Sequence, residues 1–262
     1  MSDALYLYGL APCAYHKTLE ALPNCNVGLL KYAGLVAIYR QCQRREFEHS
    51  EADTDQHGLN RQLLLQIVQH DSVTQSVLAA SPLFPVRFAT LYSGEAALLN
   101  FMRLNHITIE AFLRSSEGYR EWAVKGYVKR EQAKNYRLAE ELAQQPSAEE
   151  SAGKRYVRER QMALKVERQL SQWLQTRAEQ KIKQLSQFAA DIIKRPLPAS
   201  AQADEVGECF GNWAFLLADE CVDAFKQTLH DINLQEAACG LQFSCTGPWA
   251  LYSFCQQVAI KN

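Results

Sequence analysis

Hydrophobic and polar positions along the chain change period several times, and those changes predict its elements. The most informative stretch runs from Ser81 to Arg130. In Phe84-Pro85-Val86-Arg87-Phe88, the residues Phe84, Val86 and Phe88 alternate, as a strand with one buried face requires. Trp122, Val124 and Val128 alternate in the same way across Tyr119–Lys129. Each of these predicted strands carries charge on its other face, Arg87 on the first and Glu121 and Lys125 on the second. Between them a 3/4 spacing of Leu98, Phe101, Met102, Ile109, Phe112 and Leu113 predicts a helix from Gly94 or Glu95 to Ser115, capped by Ser93.

Upstream, the apolar run Ala4–Leu10 predicts a strand, and the prolines of 11–26 a loop with one turn of helix. Val27–Gln43 reads as two strands that turn at Ala33-Gly34. Residues 44–58 are polar and acidic, a solvated loop. Asn60 is placed to cap a helix over Arg61–Ala80, with Leu64, Ile67, Val68, Val73, Val77 and Leu78 at helical spacing and Pro82 as its stop.

Downstream, Arg130–Gln144 favours helix and Gln145-Pro146-Ser147 breaks it. An apolar stripe through Val166, Leu170, Trp173, Ala178, Ile182, Leu185, Ala189 and Ile192 predicts one long helix from Gly153 to Lys194. Cys209–Leu217 reads as a strand, and Asp219 as the cap of a helix from Glu220 to Asn233. In Ala238–Cys245, Cys239, Leu241, Phe243 and Cys245 alternate as in a strand. Gly247-Pro248 predicts a turn into an aromatic tail bearing Trp249, Tyr252 and Phe254, which either docks on the body or binds a partner.

The expected architecture is α+β. It comprises an N-terminal mixed domain (1–118), a modified ferredoxin-like domain with a long helix (119–246) and a C-terminal tail (247–262). The βαβαβ order of the second part supplies most of a ferredoxin-like sheet, with one of the usual strands not visible.

Composition narrows the functional classes. The 262 residues carry a net charge of −1, so nothing pulls the whole chain toward nucleic acid or anionic membrane. Residues 154–195 are an exception, with eleven Lys/Arg against four Asp/Glu. A solvated basic face is favoured there over a nucleic-acid interface, since aromatic interleaving is absent. No apolar run reaches the roughly 20 residues that span a bilayer, and no secretory signal is visible, so the expected location is cytoplasmic. Eight cysteines contain no C-x-x-C pair and read chiefly as small buried hydrophobes.

Candidate chemistry is sparse. His49 and His57 flank Asp53 and Asp55, but loop composition alone is a weak metal signal. Glu140-Glu141 and Glu149-Glu150 fall in exposed helix or loop, and His106 and His230 on amphipathic helices. There is no phosphate-binding glycine loop, nucleophile elbow or H-E-x-x-H. The expectation is a protein without catalytic residues, cofactor or metal.

Four fragments, read in order, resemble the gas vesicle protein F/L family: Tyr6-Leu7-Tyr8-Gly9, Phe84-Pro85-Val86-Arg87-Phe88, Glu121-Trp122-Ala123-Val124-Lys125, and Thr246-Gly247-Pro248-Trp249 with Tyr252-Ser253-Phe254. Gly153-x-x-Tyr156, with Arg158 and Arg160, is similar to the family's glycine-tyrosine-arginine segment. The chain departs from the family at Ala250 and Leu251, where prolines usually follow the tail tryptophan, and in keeping only Gly153 at the entry to the long helix.

The resemblance implies a two-domain α+β protein without catalysis, acting as an accessory or minor structural component of gas vesicles. Its implied partners are the hydrophobic major shell protein, kept from aggregating and helped to nucleate, and other gas vesicle accessory proteins, with neither nucleic acid nor membrane. The residues singled out as structural or partner candidates are Arg87, Glu121, Trp122, Lys125, Trp249, Tyr252 and Phe254. Arg87 and Glu121 are expected to pair across neighbouring strands. The competing readings are a ferredoxin-like ligand-binding or enzymatic domain using Arg87, Glu121 and Lys125, and a nucleic-acid binder using the basic helix.

Overall fold

A computed structural model describes residues 3–22, 27–47, 61–144, 151–197 and 207–255. It divides into two compact units, residues 1–121 together with 248–262, and residues 122–247.

The first unit is built on β1 (Asp3–Pro12), β2 (Gly28–Tyr32), β3 (Leu35–Gln43) and two short strands, β4 (Phe84–Pro85) and β5 (Leu91–Tyr92). Its helices are α1 (His16–Glu20), α2 (Arg61–Ala80) and α3 (Glu95–Ser115). The sheet order is β2-β3-β1-β4, with β5 also pairing with β1, and the β2–β3, β1–β3, β1–β4 and β1–β5 ladders are antiparallel. The β2–β3 hairpin turns at Ala33 and Gly34, both with positive φ (41° and 83°), the pairing that matches strand twist.

Strand β1 is apolar on both faces because both are covered. Ala4, Tyr6 and Tyr8 pack with Val73, Val77 and Leu78 of α2. Leu5, Leu7 and Leu10 pack with Leu98, Met102 and Ile109 of α3. A register shift between Leu7 and Gly9 accommodates the close approach of β4, where a Cβ on Gly9 would lie 2.8 Å from the Phe84 carbonyl oxygen.

The second unit contains β6 (Tyr119–Val128), α4 (Arg130–Gln144), α5 (Ala152–Ser186), β7 (Ala189–Lys194), β8 (Glu208–Ala218), α6 (Val222–Glu236) and β9 (Leu241–Trp249). The unit boundaries cut within β6 and β9. The sheet order β7-β8-β6-β9 is that of a ferredoxin-like βαββαβ fold, with α4 as an extra helix before α5. Trp122, Val124, Phe215, Leu217 and Phe243 from the sheet pack against Ala178 and Leu185 of α5 and Phe225, Leu229 and Ile232 of α6. Written as sequence order within each unit, both sheets run second-third-first-fourth.

Several expectations are corrected. The helix predicted to continue to Lys194 ends at Ser186, and Ala189 and Ile192 belong to β7, the missing fourth strand. The 3/4 stripe continued by coincidence into a segment whose paired β-branched Ile192-Ile193, closed by Pro196, marks a strand. The strand expected through Phe84–Phe88 is two residues long. The chain turns after Val86, with Ala89 at φ 63° and Thr90 Oγ1 donating to the Arg87 carbonyl, so Phe84 and Phe88 enter opposite layers of the core. Helix α3 is capped at Gly94, without a side-chain cap from Ser93, and α6 starts after a 3-10 turn at Asp219–Cys221. Cys239 lies in another 3-10 turn rather than in β9, and Gly247-Pro248 lies inside β9 rather than in a turn. Leu64, Ile67 and Val68 are exposed, and the buried side of α2 is His70, Val73, Thr74, Val77 and Leu78. The proposed cap Asn60 and the loop residues His49, Asp53, Asp55 and His57 lie outside the described residues.

Candidate functional site

The residues singled out in the tail converge on the first unit. After β9, Ala250 and Leu251 are buried and a short helix α7 (Tyr252–Cys255) forms. Its Phe254 is buried and Tyr252 half-buried. Cys255 Sγ contacts the Pro85 carbonyl, and burial pushes its thiol up to about 12. Trp249 is half-buried.

Two polar contacts hold this segment. Glu121, 2% exposed, accepts from the Ser253 backbone N–H (2.8 Å) and from Ser253 Oγ (3.0 Å). A buried carboxylate needs such donors. His70 is the second anchor, because its Nδ1 lies 2.6 Å from the Tyr6 hydroxyl and its Nε2 2.8 Å from the Tyr252 hydroxyl. The ring stacks on Tyr8 and meets Phe88 edge-on. Burial lowers the His70 pKa to about 4, so the imidazole stays neutral, one nitrogen donating and the other accepting. Burial likewise raises Tyr6 and lifts Tyr252 to about 12. None of the three groups is poised to transfer protons near neutrality, and the set works as a latch.

The expected pair between Arg87 and Glu121 is absent. Arg87 is exposed in the turn after Val86 and makes no ion pair among the described residues, while Glu121 is engaged by Ser253. A strand long enough to align the two side chains does not exist at Arg87. In the second unit, Trp122 is buried with Lys226 Nζ 4.3 Å from its ring centroid, and Lys125 is half-exposed.

The second unit holds a buried ionic cluster that the sequence reading missed. Glu236, 1% exposed, accepts from Arg177 Nε (2.7 Å) and Lys181 Nζ (2.9 Å). Desolvation pushes its carboxyl up, but the two cations outweigh it and hold the pKa below the usual carboxylate value. Both cations come from α5, so the cluster ties α5 to the end of α6. The signal was present, since Lys181 falls between Ala178 and Leu185, and Glu236 follows Leu229 and Ile232, at the spacing of buried stripes. His70 is marked by the same logic ahead of Val73 and Val77. Partly exposed pairs join α4 to α5, including Lys165–Glu141 and Lys134–Glu167.

Among the described residues no group of His, Cys, Asp and Glu is arranged to hold a metal ion. No described helix is long and apolar enough to cross a membrane.

Fold and site together define an α+β protein with a ferredoxin-like sheet, an elongated helix and a C-terminal segment latched by buried polar contacts. The family model for gas vesicle synthesis protein GvpL/GvpF matches residues 4–256, and the chain belongs to that family. Gas vesicle assembly is thus its setting. Its fold is similar to the crystal structure of the gas vesicle protein GvpF from Anabaena sp. PCC7120, with a TM-score of 0.68, 18% identity and coverage of 100% of this chain and 99% of that one. It is also similar to gas vesicle protein GvpF from Microcystis aeruginosa, with a TM-score of 0.62, 16% identity and coverage of 97% and 99%. None of the curated proteins matches it in sequence.

Proposed function

We propose that the protein acts in gas vesicle assembly by binding the major shell protein, keeping it from aggregating and assisting nucleation of the shell at the gas vesicle. The carrying observation is family membership over residues 4–256. An aggregation-prone apolar subunit needs a partner that offers apolar surface before assembly. The first half of α2 offers such a surface, since Leu64, Leu65, Ile67 and Val68 are all exposed, Leu65 and Val68 by 63% and 64%. The aromatic tail is less suited to that role, because Tyr252 and Phe254 are committed to the first unit's core.

Co-expression of tagged full-length protein with the shell protein tests this reading. Expected are co-purification and suppressed light scattering by the shell protein, both reduced several-fold by Leu65→Ser/Val68→Ser. Failure of the shell protein to co-purify refutes the reading. We further propose that the two compact units are separate domains, to be checked by whether limited proteolysis leaves two stable cores.

A further inference from the structure

Each sheet has two edges, and the chain's own groups block three of the four. In the second unit, β7 is interrupted by a register shift between Ala189 and Asp191, and Asp191 Oδ1 accepts the Ile192 N–H (2.8 Å). At the other edge of that sheet, Asn233 of α6 stands in for a neighbouring strand. Its Oδ1 accepts the Phe243 N–H (2.7 Å) and its Nδ2 donates to the Phe243 carbonyl (2.9 Å). In the first unit, β4 and β5 are two residues long each. Pro85 has no N–H, and its carbonyl is met by Cys255 Sγ of α7.

The open edge is β2. The two-residue turn at Ala33-Gly34 makes Tyr32–Leu35 a hydrogen-bonded pair, and Leu30–Ala37 follows with the same parity. The Cys13 N–H donating to the Gly34 carbonyl fixes that parity from the far side of β3. Leu29 and Lys31 therefore turn their N–H and C=O groups outward, and no described residue pairs with them. Lys31 is exposed and in no ion pair among the described residues, whereas Leu30 and Tyr32 are half-buried against the α3 side of the core. Arg40, next to Tyr39 in β3, donates to Gln66 (2.7 Å), which brings the half of α2 with exposed apolar residues to the β3 side of this sheet.

We propose that β2 accepts an extended segment of a partner protein as an added strand, with Asp or Glu opposite Lys31 and apolar residues beside Leu30 and Tyr32. Unpaired groups along a sheet edge are a template for another chain; backbone pairing supplies affinity and alternate side chains supply specificity. An opposite charge across from Lys31 stabilises the pair and a like charge destabilises it. A second copy of this chain fits worse. Residues 27–32 contain no carboxylate side chain, so no register of β2 against β2 pairs the Lys31 charge, and one sets Lys31 against Lys31. The inference deepens the assembly reading and rests on it only for the partner being a gas vesicle protein.

The test uses full-length protein and a fluorescein-labelled peptide of about nine residues, alternating Thr and Val with Glu in place of the central Thr. One control peptide carries Lys in place of Glu, and another is N-methylated at alternate amides so that its backbone cannot pair. The Glu peptide is expected to bind, more weakly at high salt, and the N-methylated one is not. Lys31→Glu, an exposed change, is expected to weaken the Glu peptide several-fold and to reverse the preference toward the Lys peptide. Lys31→Pro removes an outward N–H that β3 does not use and is expected to weaken binding at least about tenfold. Its melting temperature is measured alongside, and Lys31→Glu carries the test should the proline variant fail to fold. Equal binding of the N-methylated peptide, preference of the wild type for the Lys peptide, or no effect of either variant overturns the inference. So does a wild-type dimer in analytical ultracentrifugation that Lys31→Glu or Lys31→Pro alters, since a second copy then occupies the edge. Failure of the Glu peptide alongside shell-protein co-purification removes the β2 site and leaves the assembly reading. The converse result removes the shell-protein reading and leaves the β2 site.

Discussion

Replacing Glu236 by Gln tests whether the buried ionic cluster stabilises the second unit. The carboxylate is 1% exposed and receives one charged donor from Arg177 and one from Lys181. Removing one partner of a buried pair typically costs about 3–5 kcal/mol, because the remaining charge is left uncompensated. The cost here falls toward the lower end. The Arg177 side chain is 27% exposed and regains some hydration, and Gln keeps one acceptor oxygen. A loss of about 3 kcal/mol is expected, or a melting temperature lower by ~6–12 °C at roughly 2–4 °C per kcal/mol. Urea unfolding followed by tryptophan fluorescence reads it, since Trp122, Trp173 and Trp213 all lie in the second unit. The pH dependence is a second readout. Glu236 has a depressed pKa, so its contribution is complete above the unfolded carboxyl value of about 4.3 and is lost as pH falls through the folded value. The difference between wild type and Glu236→Gln should therefore shrink only in acid. A variant within ~0.5 kcal/mol of wild type at neutral pH refutes the argument, because desolvation would then cancel the pairing.

His70 predicts another acid-dependent loss. Its pKa falls from 6.5 unfolded to about 4 folded, so stability is complete above 6.5 and declines as pH drops toward 4, by up to about 3 kcal/mol. His70→Phe should be less stable at neutral pH yet flatter across that window, and an NMR ring signal that titrates near 6.5 in the native protein would contradict this. Ser253→Ala removes one donor from buried Glu121 and should cost ~1–3 kcal/mol by thermal melting, with an unchanged melting temperature counting against the latch. Gly34→Val should cost at least about 1 kcal/mol, because φ of 83° disfavours a side chain and its Cβ would collide with Glu110.

Much of this fold is written in local pattern, and what is not written has physical causes. Helices α3 and α6 follow from period because each buries one face, and the β2–β3 hairpin follows from its turn at Ala33-Gly34, although β3 is covered on both faces. β7 was hidden because a 3/4 apolar stripe and a short strand agree over six residues, and only pairing with β8 separates them. The strand at Phe84 was overread for the converse reason: alternation requires a buried face but also a partner long enough to hold it, and Ala89 turns the chain away first. Charge was harder to place than hydrophobicity. Arg87 and Glu121 looked like partners because both stand on predicted strands, whereas the donor Glu121 receives is Ser253, 132 residues later in sequence. His70, Lys181 and Glu236 were legible by a different rule. Each occupies a core position of an amphipathic helix, where an ionisable group is tolerated only with partners already in place.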